Sequence, residues 1–188
     1  MIKRTAAFLR ALSVGLILVA AGCRTPSAAP HYAEAGRGAV CSVYFSPHGG
    51  CTDEVVRAIR GARQSVLVQA YSFTSQPIAE ALIEAARRGV RVEVILDKSQ
   101  RAERHTSASE LLAAGIPVEI DAVHAIAHNK VIVIDGLTVL TGSFNFTQAA
   151  EERNAENLLV IEDRRLAAQY AANWHAHWQH AERYRPDQ

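Results

Sequence analysis

The sequence predicts an α/β domain with a mixed, mainly parallel sheet flanked by helices on both faces. Short apolar, β-branched runs alternate along the chain with amphipathic segments of helical period, the pattern of strand–helix–strand units. The run from Ser65 to Tyr71 is largely apolar without alternation, as strands covered on both faces are. Asp135-Gly136, set between two further apolar runs, signals a tight hairpin. A chain of 188 residues favours one such domain.

Residues 1–23 read as an export leader. Lys3, Arg4 and Arg10 form a basic head, and Ala11 to Gly22 is an apolar run too short for a comfortable membrane span. The end, Val19-Ala20-Ala21-Gly22-Cys23, resembles a bacterial lipoprotein cleavage site, with Ala20 where leucine is more usual. Two outcomes stay open. Acylation of Cys23, followed by Arg24 rather than an aspartate retention signal, implies an outer-membrane anchor. Ordinary secretory cleavage nearby implies a soluble periplasmic protein. Residues 24–38 are small, polar and Pro-containing, and read as a flexible tether to a domain over 39–188.

The chain has 20 Lys and Arg against 19 Asp and Glu, and three of the basic residues but no acid precede Cys23. The chain beyond the leader therefore carries two more acids than bases. Bulk charge does not mark a strongly basic nucleic-acid binder, so any such affinity is local. Cys41 and Cys51 remain after Cys23 is set aside. In an oxidising compartment they form either a disulfide or two free thiols, since His48 alone between them supplies too few ligands for zinc.

From the amino end of the domain, Val40 to Phe45 alternates as a first strand, and Thr52 is placed to cap a helix from Asp53 to about Ala62. The strand from Ser65 to Tyr71 leads to a helix capped by Thr74 or Ser75, with Pro77 in its first turn and Ile78, Leu82, Ile83 and Ala86 as its apolar stripe. Arg87-Arg88-Gly89 ends it. Val90 to Leu96 is a third strand, and a polar loop crosses Arg101 to His105. Ser107 with Glu110 resembles a capping box for a short helix through Ala114. Ile116 to Ile120 is a fourth strand, and Asp121 to Ala127 leads into the hairpin. A short helix is expected near Thr147 to Ala150, then a strand from Glu156 to Ile161. The last helix runs from Asp163 to about Arg183 and carries Trp174, His175, His177, Trp178 and His180. The three histidines stand at i, i+2 and i+5, which do not share one helix face. They are therefore assigned to a helix anchored by its tryptophans rather than to a metal.

The hairpin carries the chemistry. His128 and Lys130 are two apart at the head of Val131 to Ile134, so in an extended chain they emerge side by side. The returning strand, Leu137 to Thr141, delivers Gly142-Ser143-Phe144-Asn145, with Ser143 and Asn145 again two apart. Such a set suits attack on a phosphodiester. A neutral imidazole is a nucleophile for phosphorus, and an ammonium, a hydroxyl and a carboxamide hold phosphoryl oxygens as negative charge builds. The chain uses lysine only at Lys3, Lys98 and Lys130, so a lysine in the hairpin reads as a compact point charge.

The spacing HxK-x4-DG-x5-GSxN resembles the signature of the phospholipase D superfamily. The stretches Val43 to Pro47, Gly49 to Thr52, Val68 to Ser75 and Ile95 to Gln100 are similar to its small bacterial endonuclease branch, and the likeness covers roughly Val40 to His180. The resemblance implies the phospholipase D/nuclease fold and a metal-independent, cofactor-free hydrolysis through a phosphohistidine on His128. Lys130 and Asn145 would bind phosphoryl oxygens, Ser143 would support them, and Glu156 would orient the histidine. Gly142 and Asp135 are structural members of the motif, Asp135 bonding the hairpin turn. The mechanism needs two histidines and the chain has one HxK, so the resemblance implies a homodimer with the site on its two-fold axis. DNA is the expected substrate, cut without sequence preference, with RNA or phospholipid as further substrates. A phospholipase or cardiolipin-type hydrolase is the second reading, and a non-enzymatic nucleic-acid-binding envelope protein the third.

Overall fold

A computed structural model of the chain describes residues 40–186. The leader expected over 1–23, with Cys23, and the tether over 24–38 lie outside these residues. The described elements are β1 (Val40–Ser46), α1 (Cys51–Gly61), β2 (Ser65–Ala70), α2 (Gln76–Arg87), β3 (Arg91–Asp97), a 3₁₀ turn (Lys98–Arg101), α3 (Ala108–Ala113), β4 (Val118–Asp121), β5 (Lys130–Ile134), β6 (Thr138–Gly142), α4 (Gln148–Glu152), β7 (Glu156–Glu162), α5 (Arg164–His180) and β8 (Glu182–Arg183).

The eight strands form one sheet in the order β1–β7–β6–β5–β2–β3–β4–β8. It is mixed, as expected, but the parallel part is smaller than "mainly parallel" implies. Only β2–β3 and β3–β4 are parallel, and every other neighbouring pair is antiparallel. The parallel pairs are those joined by the helical crossovers α2 and α3. β5 and β6 instead turn back tightly through Asp135 and Gly136, whose φ angles of 53° and 59° suit a hairpin turn. β7 then returns beside β6, and β1 closes that edge antiparallel to β7.

Helices cover both faces, and side-chain parity along the strands decides which residues meet which helices. Val66, Val68, Val94, Leu96, Ile132 and Leu140 pack with Val55, Ile59, Ile78, Leu82 and Leu111 of α1, α2 and α3. The alternate residues Leu67, Ile95, Val131, Val133 and Val139 pack with Ala167 and Trp174 of α5. β2 and β5 are thus buried on both sides, which is why their sequences lack alternation. Trp174 is 1 % exposed, and its indole N–H donates to the Val68 carbonyl at 2.8 Å. No described helix is long and apolar enough to cross a membrane.

Several caps differ from expectation. α1 begins at Cys51, and the Glu151 carboxylate, rather than the Thr52 hydroxyl, accepts the amides of Gly50 and Thr52 at 3.0 and 2.7 Å. A charged acceptor brought from α4 satisfies two helix-end donors at once. Ser107 sits at the start of α3 without a side-chain cap, and the Glu110 carboxylate accepts instead from Gln76 Nε2 at 2.9 Å. Cys41 and Cys51 are both free, Cys41 exposed and Cys51 buried, so the disulfide considered for them is absent. Cys41 pairs with Ile161, five residues up β1 from Ser46. At about 3.3 Å per residue that is ~16 Å from the loop leading to Cys51, beyond a bridge's reach.

Candidate active site

The pairings bring one end of the sheet together. Ala70 lies opposite Lys130, Val131 opposite Thr141, Gly142 opposite Leu158, and Ser46 opposite Glu156. This is the carboxyl end of the parallel strands, where open α/β sheets gather their ligand-binding groups.

His128 is exposed just before β5, and Lys130 opens that strand with 7 % exposure. Both lean on Tyr71, which follows β2. The imidazole and phenol centroids are 4.7 Å apart, and the ammonium stands 5.1 Å from the same ring. The Tyr71 amide donates to the Asn129 carbonyl at 2.9 Å, extending the β2–β5 pairing to the residue between them. Lys130 Nζ donates to the His128 carbonyl at 2.7 Å. Burial pulls the ammonium below the ordinary lysine range, and the negative charge of Glu156 pulls the other way.

Gly142, Ser143 and Asn145 are held by β7. A Cβ on Gly142 would meet the Asn157 carbonyl oxygen at 2.2 Å, so this close approach requires glycine. The amides of Ser143 and Phe144 donate to that carbonyl at 3.1 and 3.2 Å. Ser143 Oγ accepts the Asn157 amide at 3.1 Å and its carboxamide Nδ2 at 3.3 Å. Its own O–H is left to donate outward. Phe144 and Phe146 point into the core at 1 % exposure each, which turns Ser143 and Asn145 to the other side. Asn145 Oδ1 is buried and makes no hydrogen bond among the described residues. A buried polar atom without a partner is unusual, so this oxygen is not committed to holding the fold.

Glu156 opens β7 at the same end, half-buried, and accepts from Asn154 Nδ2 at 3.3 Å. Asp135 lies at the opposite end of β5. It bonds the connection before β2 rather than its own hairpin turn, accepting the amides of Arg63, Gln64 and Ser65 at 2.9, 2.8 and 2.9 Å. Burial works against its charge, but these three amides outweigh burial and hold the carboxyl below its usual range.

Sequence spacing does not reveal the partners that place these groups. Tyr71 ends a strand-like run, Asp97 ends β3, and Asn157 lies within β7. Each becomes visible only when the strands are laid side by side. Packing divides the helical histidines. His175 stands apart against Trp174, but His177 and His180 meet Asp121 and His124.

A family model described as "Cardiolipin synthase, PLD-like domain" matches residues 55–178. A curated phospholipase D of Rickettsia prowazekii is 49 % identical over 133 residues, 71 % of this chain and 65 % of its own length. The chain therefore spans just under two thirds of that relative. A mitochondrial cardiolipin hydrolase of Xenopus laevis is 36 % identical over 119 residues, 63 % of this chain and 57 % of its own. Among solved structures, the phospholipase D family member Nuc from Salmonella typhimurium superposes with a TM-score of 0.75 at 39 % identity, covering 78 % of this chain and 99 % of Nuc. NucT from Helicobacter pylori shares the fold, with a TM-score of 0.72 at 24 % identity, covering 78 % of this chain and 99 % of NucT.

Proposed function

Since the chain belongs to the phospholipase D superfamily, we propose that it hydrolyses phosphodiester bonds without a metal at the phosphoryl group, and that its substrate is the backbone of DNA, with RNA cut by the same groups. The observation that carries this reading is the gathering of His128, Lys130, Ser143 and Asn145 at one sheet end, with the Ser143 O–H left to donate and the Asn145 carboxamide oxygen unpartnered among the described residues. A nitrogen of the His128 imidazole attacks phosphorus, forming an N–P bond as the P–O bond to the leaving oxygen breaks. Lys130, the Ser143 O–H and the Asn145 amide hold the phosphoryl oxygens. A second histidine gives its proton to the leaving oxygen, then takes one from the water that cleaves the N–P bond and frees His128.

That second histidine is His128 of another copy of this chain. Among the described residues, the ring against His128 is Tyr71, not another imidazole. Phe45, Val123 and Ile126 are 62, 67 and 57 % exposed on segments at the site end, apolar surface that a two-fold partner would cover. Donors aimed at phosphate read little base sequence, so cutting is non-specific. Likeness to Nuc over nearly all of its chain supports a nucleic-acid substrate. The relatives named phospholipase D and cardiolipin hydrolase favour a second reading, a phospholipid diester cut by the same groups.

The test is plasmid nicking in EDTA by purified protein and by His128→Ala, beside headgroup release from cardiolipin-containing liposomes. Cut plasmid, inert liposomes and a dead variant support the nuclease. Cut liposomes with intact plasmid overturn it in favour of lipid. Sedimentation tests the dimer. We further propose export through residues 1–23, for which fractionation of cells making the protein and its Cys23→Ser variant separates a lipid-anchored from a soluble periplasmic form.

A further inference from the structure

We propose that Asp121, His124, His177 and His180 form a binding site for one divalent transition-metal ion, with Zn²⁺ the best fit. Asp121 ends β4 and is fully buried. His124 comes from the β4–β5 loop, and His177 and His180 from the last turn of α5. α5 runs from the far end of β7 back across the sheet and so delivers its final turn beside Asp121. His177 and His180 are i and i+3, neighbours on one helix face.

Three imidazoles converge on one carboxylate. Asp121 Oδ2 lies 2.6 Å from His177 Nδ1, 3.0 Å from His124 Nδ1 and 3.4 Å from His180 Nε2. One donor atom from each of the four residues lies within 4.8 Å of the others. Tetrahedral zinc with bonds of about 2.0–2.1 Å sets its donors ~3.4 Å apart, so the group closes on an ion through small side-chain rotations. The ring centroids are 4.9, 5.4 and 5.3 Å apart, which leaves each imidazole free to turn a nitrogen inward. Nitrogen and carboxylate donors in fourfold arrangement suit Zn²⁺, whereas Mg²⁺ and Ca²⁺ prefer oxygen sets. The Asp121 carboxylate is fully buried, with Nδ1 of His177 and of His124 at hydrogen-bond distance, 2.6 and 3.0 Å. A buried anion held by polar hydrogens is what a cation binds by displacing protons.

The ion would not sit at the phosphoryl group. β4 is three strands from β5 in the sheet, roughly 14 Å at ~4.8 Å per strand. It would tie the β4–β5 loop to α5, with His124 four residues before His128. Lys98 Nζ, donating to the His124 carbonyl at 3.0 Å, braces the same loop. The site therefore governs how firmly the segment carrying His128 is held, whatever substrate that histidine attacks.

The test uses the purified full chain, stripped with EDTA, dialysed and titrated with Zn²⁺ against a chromophoric chelator, with bound metal measured by mass spectrometry. One Zn²⁺ per chain is expected, together with a rise in Tm. His177→Ala and His180→Ala should weaken binding on the order of tenfold or more and lose the Tm rise, while His175→Ala on the same helix keeps both. His124→Ala, on an exposed loop, repeats the test should a helix variant not fold. Failure of the wild-type chain to retain Zn²⁺, or wild-type affinity in His124→Ala and the helix variants, overturns the proposal. These readouts are independent of any substrate.

Discussion

The Asp97 carboxylate accepts the backbone N–H of Ala127 at 2.7 Å, and Ala127 is the residue immediately before His128. Asp97 is 3 % exposed at the end of β3, and its other oxygen accepts the Ser99 amide at 2.8 Å. A buried anion on a rigid strand thus fixes the last peptide before the proposed nucleophile. Asp97→Ala leaves a buried N–H unpaired, a loss of about 1–3 kcal/mol. The expected outcome is a lower urea midpoint and a kcat reduced more than KM is raised. Asp97→Asn, which keeps an acceptor oxygen, should recover part of both.

Lys130 and Glu156 should be linked in the pH profile. Burial lowers the Lys130 ammonium below its ordinary value of 10.5, and Glu156 opposes that shift. Activity that needs the charged ammonium therefore falls on the alkaline side, at a pH below that of an ordinary lysine. Glu156→Gln removes the opposing charge, so the alkaline limb should move to still lower pH. An alkaline limb that stays in place would separate Glu156 from Lys130.

Gly142→Ala tests the close approach of β6 to β7. Its Cβ would stand 2.2 Å from the Asn157 carbonyl oxygen, so a strand must shift. A loss of at least ~1–3 kcal/mol is expected, with activity falling too because Ser143 is bonded to Asn157. Thermal melting and nicking rates measure the two effects.

Asp135 should matter for stability and little for chemistry. Asp135→Asn weakens bonds to three backbone amides, a cost of about 1–2 kcal/mol, with kcat unchanged. Its folded carboxyl is held below the ordinary aspartate value of 3.8. The folded state therefore binds the proton less readily than the unfolded chain. The contribution is present above that value and is lost as pH falls through the folded pKa. Acid melts of the wild type and the variant should converge at low pH and diverge near neutrality.

The cysteines offer a direct count. Cys41 is exposed and Cys51 is buried at the head of α1. Burial, with Glu151 next, pushes the Cys51 thiol up to about 11. In a Cys23→Ser chain at pH 8, a thiol reagent should label one cysteine in the native protein and a second only on unfolding. Native labelling of neither would show a bridge.

Local rules made much of this protein legible in its sequence. Strand and helix periods placed most elements within a few residues, because side-chain alternation and helical spacing are properties of short stretches. The hairpin brought His128, Lys130, Ser143 and Asn145 to one end for the same reason, since Asp135-Gly136 fixes which residues face each other. The tertiary structure decided what long-range pairing alone can set. The sheet is less parallel than the run of strands and helices suggests, because β1 pairs antiparallel with β7, and β5 with β2, across distant stretches of chain. Asp97 beneath Ala127, Tyr71 against His128, and Glu151 at the head of α1 each join residues whose spacing carries no period. Judged on one helix, His175, His177 and His180 looked scattered. Asp121 and His124 lie more than fifty positions away in the sequence, and only the packing of α5 on the sheet sorts His177 and His180 from His175.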